Sequence, residues 1–358
     1  METLLASPSL LACGGGFFIG TYPIFVKTPA VLAARVHPVA FQFYKSFWVA
    51  VTGAALVAMR WARGAQPAFA FTSWAVLSAC AWVPAGICLI SAVPRAGVGA
   101  GVLLFDGSTT LLSFVVFTLV FHEPLKVHTT EDGDVYYLAP VYLISALLGM
   151  VGLALVPRWV ASKQAASAAR SGDGRAEPLL GGAAARAPLP VVGYAFAIAA
   201  GALSAVQYGI VTVAKHQLPP PGSSGAAAAK QALDPLGSWT LTFGLTACVI
   251  NAAGLGVLTV RNRALGEPLP ELKVREVWGA ASLAGGCYAL SVLLTTLAVE
   301  YGGNAVVLAQ RNAVSLLTSG AWGLVYYREV RGLAALAWVG AAVVTMASVV
   351  LLGLEKGA

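Results

Sequence analysis

The stretch that decides the fold runs from Gly97 to Glu123 and reads GVGAGVLLFDGSTTLLSFVVFTLVFHE. It is long and apolar enough to cross a bilayer, which takes about 20 predominantly apolar residues. Asp106 nevertheless lies near its centre, where a charged side chain costs at least ~2.5–3.5 kcal/mol to insert. A carboxylate at that position is seldom present without an ionic partner or a functional task.

A similar stretch recurs near the C-terminus, from Gly303 to Glu329, and reads GNAVVLAQRNAVSLLTSGAWGLVYYRE. A constant shift of 206 residues places Asp106 on Asn312 and Glu123 on Glu329. Polar residues coincide between the two stretches without a gap. The chain is therefore interpreted as two related halves, each built around one of these segments.

The composition points to lipid as the solvent of most of the chain. Of 358 residues, 58% are hydrophobic and 10% charged, with a mean hydropathy of +0.78. Soluble domains are roughly 45–50% apolar and about 25% charged. The net charge of +7 is attributed to Lys and Arg in cytosolic loops rather than to a nucleic-acid partner. No spacing of His, Cys or carboxylates indicates a metal site, and no motif indicates a cofactor.

Apolar runs of spanning length occur about ten times. They lie at about 9–27, 38–60, 73–93, 97–121, 137–157, 190–214, 237–260, 278–299, 303–327 and 332–354. The break at 158–190 is rich in Ala, Gly, Pro and Arg and is predicted to be a flexible linker. It divides the chain into a first five-helix repeat (1–157) and a second one (191–358). Since five is odd, the repeats must be inverted, which predicts an all-α membrane protein with a site near the midplane.

The loop charges predict the orientation. Fourteen of the 22 Lys and Arg residues fall in loops on the linker side and six on the side of the termini, with Lys45 and Arg311 inside the runs. Because Lys and Arg accumulate in cytosolic loops, the linker is expected in the cytosol and both termini on the opposite side. The chain is thus predicted to be an integral, multi-pass protein of the plasma membrane or an endomembrane.

Three charged residues lie deep in the predicted spans. At 1.5 Å per helical residue, Asp106 lies ~14 Å and Lys45 ~12 Å from the cytosolic starts of their spans. The similar depths predict an Asp106–Lys45 ion pair. Arg311 enters from the opposite face and could offer a fork of donors to an anionic group. A charge in such a place is either half of a structural ion pair or part of a substrate or proton site.

Polar residues surround these charges at helical spacing, on stripes that would suit a hydroxylated ligand. The alternative is that the hydroxyls only hold helices together. The candidate residues of a substrate site are Gln42, Lys45, Asp106, Thr109, Gln310, Arg311, Asn312 and Ser315.

The pattern resembles the drug/metabolite transporter superfamily (EamA-like) over roughly residues 10–354. The motifs that carry the resemblance are GTYPIFVK, beginning at Gly20, and SGAWGLVYYREVRG, beginning at Ser319. They are most similar to the glucose/ribose porter branch of sugar transporters and its eukaryotic TMEM-type relatives. The resemblance implies a secondary carrier that works by alternating access on a small polar metabolite, with a sugar or sugar derivative as the expected substrate.

Other functions stay open at this point. The intramembrane charges depart from the sugar-porter pattern, so a phosphorylated or carboxylated metabolite is an alternative, as is a nucleobase, ureide or amino acid. A scaffold or sensor without flux is another alternative, although it gains nothing obvious from an inverted duplication. A membrane enzyme would require a cluster of carboxylates or a His/Asp pair at membrane depth, and the runs hold a single central carboxylate. No enzymatic activity is therefore expected.

Overall fold

The computed structural model describes residues 7–65, 67–96, 98–122, 124–171, 191–220, 222–223, 225–326 and 332–355. Ten helices of at least 19 residues make up most of this part of the chain. They are α1 (Pro8–Val26), α3 (Pro38–Ala62), α4 (Ser73–Ala96), α5 (Val98–Leu119), α6 (Ala139–Ser171), α7 (Val191–His216), α9 (Ser238–Leu265), α10 (Val274–Gly302), α11 (Asn304–Val325) and α12 (Leu333–Leu354). Two short helices lie between them, α2 (Pro29–Ala34) and α8 (Ala226–Ala232).

Local sequence explains several helix ends. Ser7 caps α1 by accepting a hydrogen bond from the Leu10 amide at 3.4 Å, and a proline follows at the first helical position. The His37 ring caps α3 in the same way, again directly before a proline. Proline suits that position because its missing N–H would have no partner there. Gly266 ends α9 in a left-handed conformation (φ 67°), which glycine adopts without steric cost.

A small hairpin, absent from the sequence prediction, follows α5. Strand β1 (His128–Thr129) pairs antiparallel with β2 (Val135–Tyr136). Its first strand is joined to the end of α12, because His128 Nε2 lies 2.7 Å from a Glu355 carboxylate oxygen. The Lys126 amide also donates to the Glu355 carbonyl at 2.9 Å. The hairpin lies between α5 and α6 in the first predicted half and is attached to the end of α12 in the second.

The chain has the character of a multi-pass membrane protein. Within the described residues, seven helices are long and apolar enough to cross a bilayer: α1, α4, α5, α7, α9, α10 and α12. In α6 the apolar part is shorter, Ala139–Leu153, while α3 and α11 carry the buried Lys45 and Arg311. The ten predicted spans are thus matched by seven helices of spanning composition.

Helix packing follows a paired pattern. α1 packs extensively on α10 and α11, and α7 does so on α4 and α5. α3 also packs along α9, α6 along α12 and α5 against α11. The first five long helices, α1, α3, α4, α5 and α6, can be matched in order with the second five, α7, α9, α10, α11 and α12. Each of these contacts then turns either into itself or into another contact of the set. The contact pattern is unchanged when the two groups of five helices are exchanged.

The crossing of α3 and α9 shows the same pairing at the level of atoms. A Cβ on Gly53 would lie 2.5 Å from the backbone of Leu241, and a Cβ on Gly244 would lie 2.5 Å from the amide nitrogen of Ala50. Gly53 and Gly244 are 191 residues apart, as are Ala50 and Leu241. The two glycines therefore make reciprocal contacts, each allowing one backbone to touch the other.

The predicted domain boundaries are only partly covered. The first residues assigned to the linker, 158–171, continue α6, so the helix is longer than the apolar run that predicted it. The rest of the linker, Gly97, and the paired Glu123 and Glu329 lie outside the described residues.

The close crossing of α3 and α9 predicts a position-specific cost for adding one methyl group. Gly244→Ala is expected to destabilise the protein by roughly 1–3 kcal/mol, because the new Cβ overlaps the Ala50 backbone. Gly256→Ala on the same helix is the matched control, since nothing lies within 4 Å of the added atom. It should be neutral or slightly stabilising, because alanine favours helix. Thermal unfolding in detergent measures both, and equal losses of stability would contradict the crossing.

Candidate functional site

Lys45 on α3 is buried in the centre of the bundle, with 1% of its surface exposed. Its ammonium nitrogen lies 4.0 Å from the ring centre of Tyr288 and 4.8 Å from that of Tyr22. The ring of Trp82 is third, at 5.7 Å. We call these three rings, which α1, α4 and α10 contribute, the aromatic cage. A cation over a ring face gains roughly 0.5–2 kcal/mol, so the cage offsets part of the cost of burying the ammonium.

The aromatic cage is held in place by its own contacts. The Trp82 indole N–H donates to the Tyr288 hydroxyl, and the two rings lie 5.0 Å apart. Tyr22 meets Tyr288 edge to face at 5.8 Å. Phe243 on α9 packs against the other side of Trp82 at 5.1 Å. The position of the cage is therefore fixed by four helices.

Asp106 and Arg311 meet where α5 crosses α11. A guanidinium nitrogen, Nη1, lies 3.8 Å from a carboxylate oxygen of Asp106, and both side chains are at most 1% exposed. The same nitrogen donates to the side-chain carbonyl of Asn312 at 2.5 Å. Within the described chain, neither oxygen of the Asp106 carboxylate has a hydrogen bond of good geometry, and the Ser315 hydroxyl is the nearby side-chain donor. The pair is thus an ionic contact without full hydrogen bonding. In a low-dielectric interior such a contact only partly offsets the free energy lost when both charges leave water.

Asn312 joins the two repeated segments directly. Its amide nitrogen donates to the backbone carbonyl of Asp106 at 3.2 Å and to the Thr110 hydroxyl at 3.0 Å. Asp106 and Asn312 are the residues that the 206-residue shift superimposes. The equivalent positions of the two segments therefore touch each other in the interior of the bundle.

The aromatic cage and the Asp106–Arg311 pair are neighbours. Tyr22 of the cage lies on α1, and on the same helix Gly16 and Gly20 lie against the backbones of Arg311 and Ser315. We call the seven residues Tyr22, Lys45, Trp82, Asp106, Tyr288, Arg311 and Asn312 the central cluster. It combines two cations, one carboxylate, an amide and three aromatic rings in one buried region.

Glycines on α1 position the α11 side of the central cluster. A Cβ on Gly16 would lie 2.4 Å from the carbonyl oxygen of Arg311, and one on Gly20 would lie 2.3 Å from that of Ser315. The GxxxG pattern therefore lets the two backbones touch, as its small residues predict. Gly201 on α7 approaches the carbonyl oxygen of Phe105, 206 residues before Arg311, in the same way at 2.5 Å.

The expected ion pair between Asp106 and Lys45 is wrong. The structure places Arg311 beside Asp106, while Lys45 points to the rings of α1, α4 and α10. Depth along a span fixes the height of a residue in the membrane but not the face of the helix on which it lies. Two residues at equal depth can therefore have different partners.

Thr109 has a packing contact instead of an open hydroxyl. It donates to the Phe105 carbonyl at 2.8 Å and lies 3.1 Å from the Gly201 carbonyl. The hydroxyl therefore holds α5 against α7, and the role of Thr109 in a substrate site stays a prediction.

The other candidates are buried and close to the central cluster in sequence. Gln42 lies one turn before Lys45 on α3 and packs on Gly86, where an added Cβ would be 2.3 Å from its amide oxygen. Ser315 lies one turn after Arg311, and Gln310 directly precedes it, both less than 5% exposed. In the described chain the amide atoms of Gln42 and the amide oxygen of Gln310 have no hydrogen-bond partner. Their role in binding stays a prediction.

Sequence reasoning missed the aromatic part of the site. Tyr22 lies inside the GTYPIFVK motif, which indicated the family resemblance but no role for this side chain. Trp82 and Tyr288 also lie 206 residues apart, so comparing α4 and α10 with the shift of the α5 and α11 segments would have paired them. An aromatic residue inside an apolar helix is usually a core residue. The sequence pattern therefore could not predict that these three rings pack against Lys45.

Comparison with known proteins defines the fold alone. No family model and no curated protein matches the chain. Among solved structures nine chains match, and one of them, described only as the crystal structure of a protein, covers 97% of this chain and 97% of its own length. The TM-score is 0.59 at 16% identity. The ten long helices therefore form an arrangement that also occurs in a structure solved by crystallography.

The Asp106–Arg311 contact predicts non-additive effects of mutation. Asp106→Asn alone leaves Arg311 without its carboxylate partner, and Arg311→Gln alone leaves the Asp106 carboxylate without its ion-pair partner. Breaking a buried pair costs about 3–5 kcal/mol, whereas removing both charges avoids most of that loss. Thermal unfolding of the purified single and double variants measures the coupling. Additive losses of stability in the double variant would show that Asp106 and Arg311 are not partners. The same conclusion would follow if Lys45→Gln restored the stability of Asp106→Asn as well as Arg311→Gln does.

Proposed function

We propose that the chain is a secondary carrier of the drug/metabolite transporter type, which moves a small polar metabolite across a membrane by alternating access. The observation that carries the proposal is the central cluster itself. Charged and amide side chains are buried at the contact between two repeated helices, although their insertion costs several kcal/mol. Polar residues in such a place are typical of a solute pathway.

The proposal includes ten membrane spans arranged as two inverted halves of five helices. It is supported by the exchange symmetry of the helix contacts and by the reciprocal glycine contacts between α3 and α9. On this view α3, α6 and α11 also cross the membrane, with the polar side chains of α3 and α11 turned to the interior. Because each half has an odd number of spans, the two halves enter the membrane in opposite orientations. Positive loop charges then put the linker in the cytosol and the described ends of the chain on the other side.

An inverted repeat explains why the site lies where Asp106 touches Asn312. In carriers built this way, the substrate sits near the midplane between the repeats, and one half rocks against the other around it. The contact between Asn312 and the Asp106 carbonyl lies between α5 and α11, which are equivalent helices. A rocking motion of the two halves would open this contact alternately to the two sides.

The proposed substrate class rests on the side chains in and around the central cluster and on the resemblance to sugar porters. The rings of the aromatic cage offer flat apolar faces, and the buried amides of Gln42 and Gln310 offer donors and acceptors for hydroxyl groups. We therefore propose a sugar or sugar derivative as the substrate. The role as a carrier, rather than an enzyme or a scaffold, rests on this combination of a polar centre and two related halves.

Uptake into proteoliposomes tests the proposal. The purified chain should give saturable uptake or exchange of at least one class in a panel of sugars, sugar phosphates, nucleobases and amino acids. Asn312→Ala removes hydrogen bonds in a charged network worth roughly 1.5–3 kcal/mol, so its initial rate should fall at least about ten-fold per reconstituted molecule. Gly256→Ala, on the far part of α9, should retain the wild-type rate. Folded protein that moves no member of the panel would contradict the proposal.

A further inference from the structure

The central cluster contains more positive than negative charge. Of the buried charged residues that the structure describes, Lys45, Asp106 and Arg311 belong to the cluster, and Glu355 is held by His128 at the hairpin. Two cations therefore face one carboxylate, which leaves a formal excess of one positive charge. Lys45 and Arg311 both lie beside α1, because Lys45 faces the Tyr22 ring at 4.8 Å and the Arg311 carbonyl oxygen lies against Gly16.

The hydrogen-bonding capacity of the two cations is only partly used. Arg311 directs one guanidinium nitrogen to Asn312, and its Nε has no hydrogen-bond partner among the described residues. The ammonium of Lys45 lies over ring faces, which attract the cation but carry no negative charge and accept no strong hydrogen bond. An oxyanion would supply what both groups lack, since carboxylate and phosphate oxygens match the donors of a guanidinium fork.

We propose that the substrate carries an anionic group, carboxylate or phosphate, and that Lys45 and Arg311 bind it together. This inference rests on the proposed function and deepens it, because it selects acidic sugars or sugar phosphates over neutral sugars. A bound monoanion cancels the positive excess of the cluster, while Asp106 stays beside Arg311. The rings of Tyr22 and Tyr288 then face the uncharged body of the same molecule.

Replacing Lys45 and replacing Arg311 should affect folding and anion binding in different ways. Removing Lys45 leaves the Asp106–Arg311 pair neutral, so Lys45→Gln should fold about as well as the wild type. Replacing Arg311 by lysine keeps the charge but loses the fork, so Arg311→Lys should fold and yet bind oxyanions less well. A purely structural Lys45, by contrast, would leave ligand binding unchanged when it is replaced.

The test is a binding measurement that does not depend on flux. The unfolding temperature of the purified full-length chain is recorded against matched probes, namely glucose, glucose 6-phosphate, glucuronate, inorganic phosphate and acetate. A ligand that binds the folded state raises this temperature, and at a given concentration a tighter ligand raises it more. We expect a rise with glucose 6-phosphate or glucuronate at concentrations where glucose gives none. The phosphate and carboxylate probes then distinguish the two oxyanions.

The variants make the result specific to the central cluster. Lys45→Gln and Arg311→Lys should each lower the affinity for the anionic probe at least about ten-fold, so that the same temperature rise requires at least about ten times more probe. The control is Arg60→Gln, which removes a cation paired with Asp234 outside the cluster. An equal response to glucose and its anionic derivatives, no response to any anionic probe, or an unchanged anionic response in both cluster variants would overturn the inference. Uptake of a neutral sugar alone would overturn the anionic-substrate inference and still support the carrier function. Binding of an anionic probe without any uptake would support the anion site and contradict the carrier function.

Discussion

The structure depends on the burial of Arg311 between Asp106 and Asn312. A guanidinium in a bundle surrounded by lipid is stable only if nearby groups replace the water that it has lost. Asp106 supplies the opposite charge at 3.8 Å, and Asn312 supplies an acceptor at 2.5 Å while it also holds the Asp106 backbone. This arrangement requires α5 and α11 to cross at one height and on one face. The positions of the neighbouring helices follow from that crossing.

Glycine is what allows the helices to come close enough. Gly16 brings α1 onto the backbone of Arg311, and Gly201 brings α7 onto that of Phe105. In a membrane the association of helices relies on close packing, because lipid tails are as apolar as the side chains that they would replace. The same paired contacts connect the geometry to the proposed transport. Where the two halves meet through glycine and backbone, no side chain interlocks, so one half can move along the other there.

The sequence predicted those features that depend on periodicity and on repetition. Asp106 and Asn312 were matched by the 206-residue shift, and they contact each other in the structure. The partner of Lys45 was not predicted, because depth in a span does not specify the face of a helix. The hairpin was missed because its strands have only two residues each, and its attachment to Glu355 joins distant parts of the chain. Thr109 shows the limit for hydroxyls, which serve a ligand and a helix contact equally well until the neighbouring backbone is known.

The central claim is that α5 and α11 are equivalent helices of opposite orientation that meet at the charged centre. Val120 and Tyr326 are the first residues after these helices, are 206 residues apart, and are 65% and 66% exposed. Each is replaced by cysteine in a chain whose five native cysteines have been removed, and a membrane-impermeant thiol reagent is applied to intact cells and to permeabilised cells. If the two helices have opposite orientations, Val120→Cys reacts from the non-cytosolic side and Tyr326→Cys reacts only after permeabilisation. Labelling of both positions from the same side would contradict this claim.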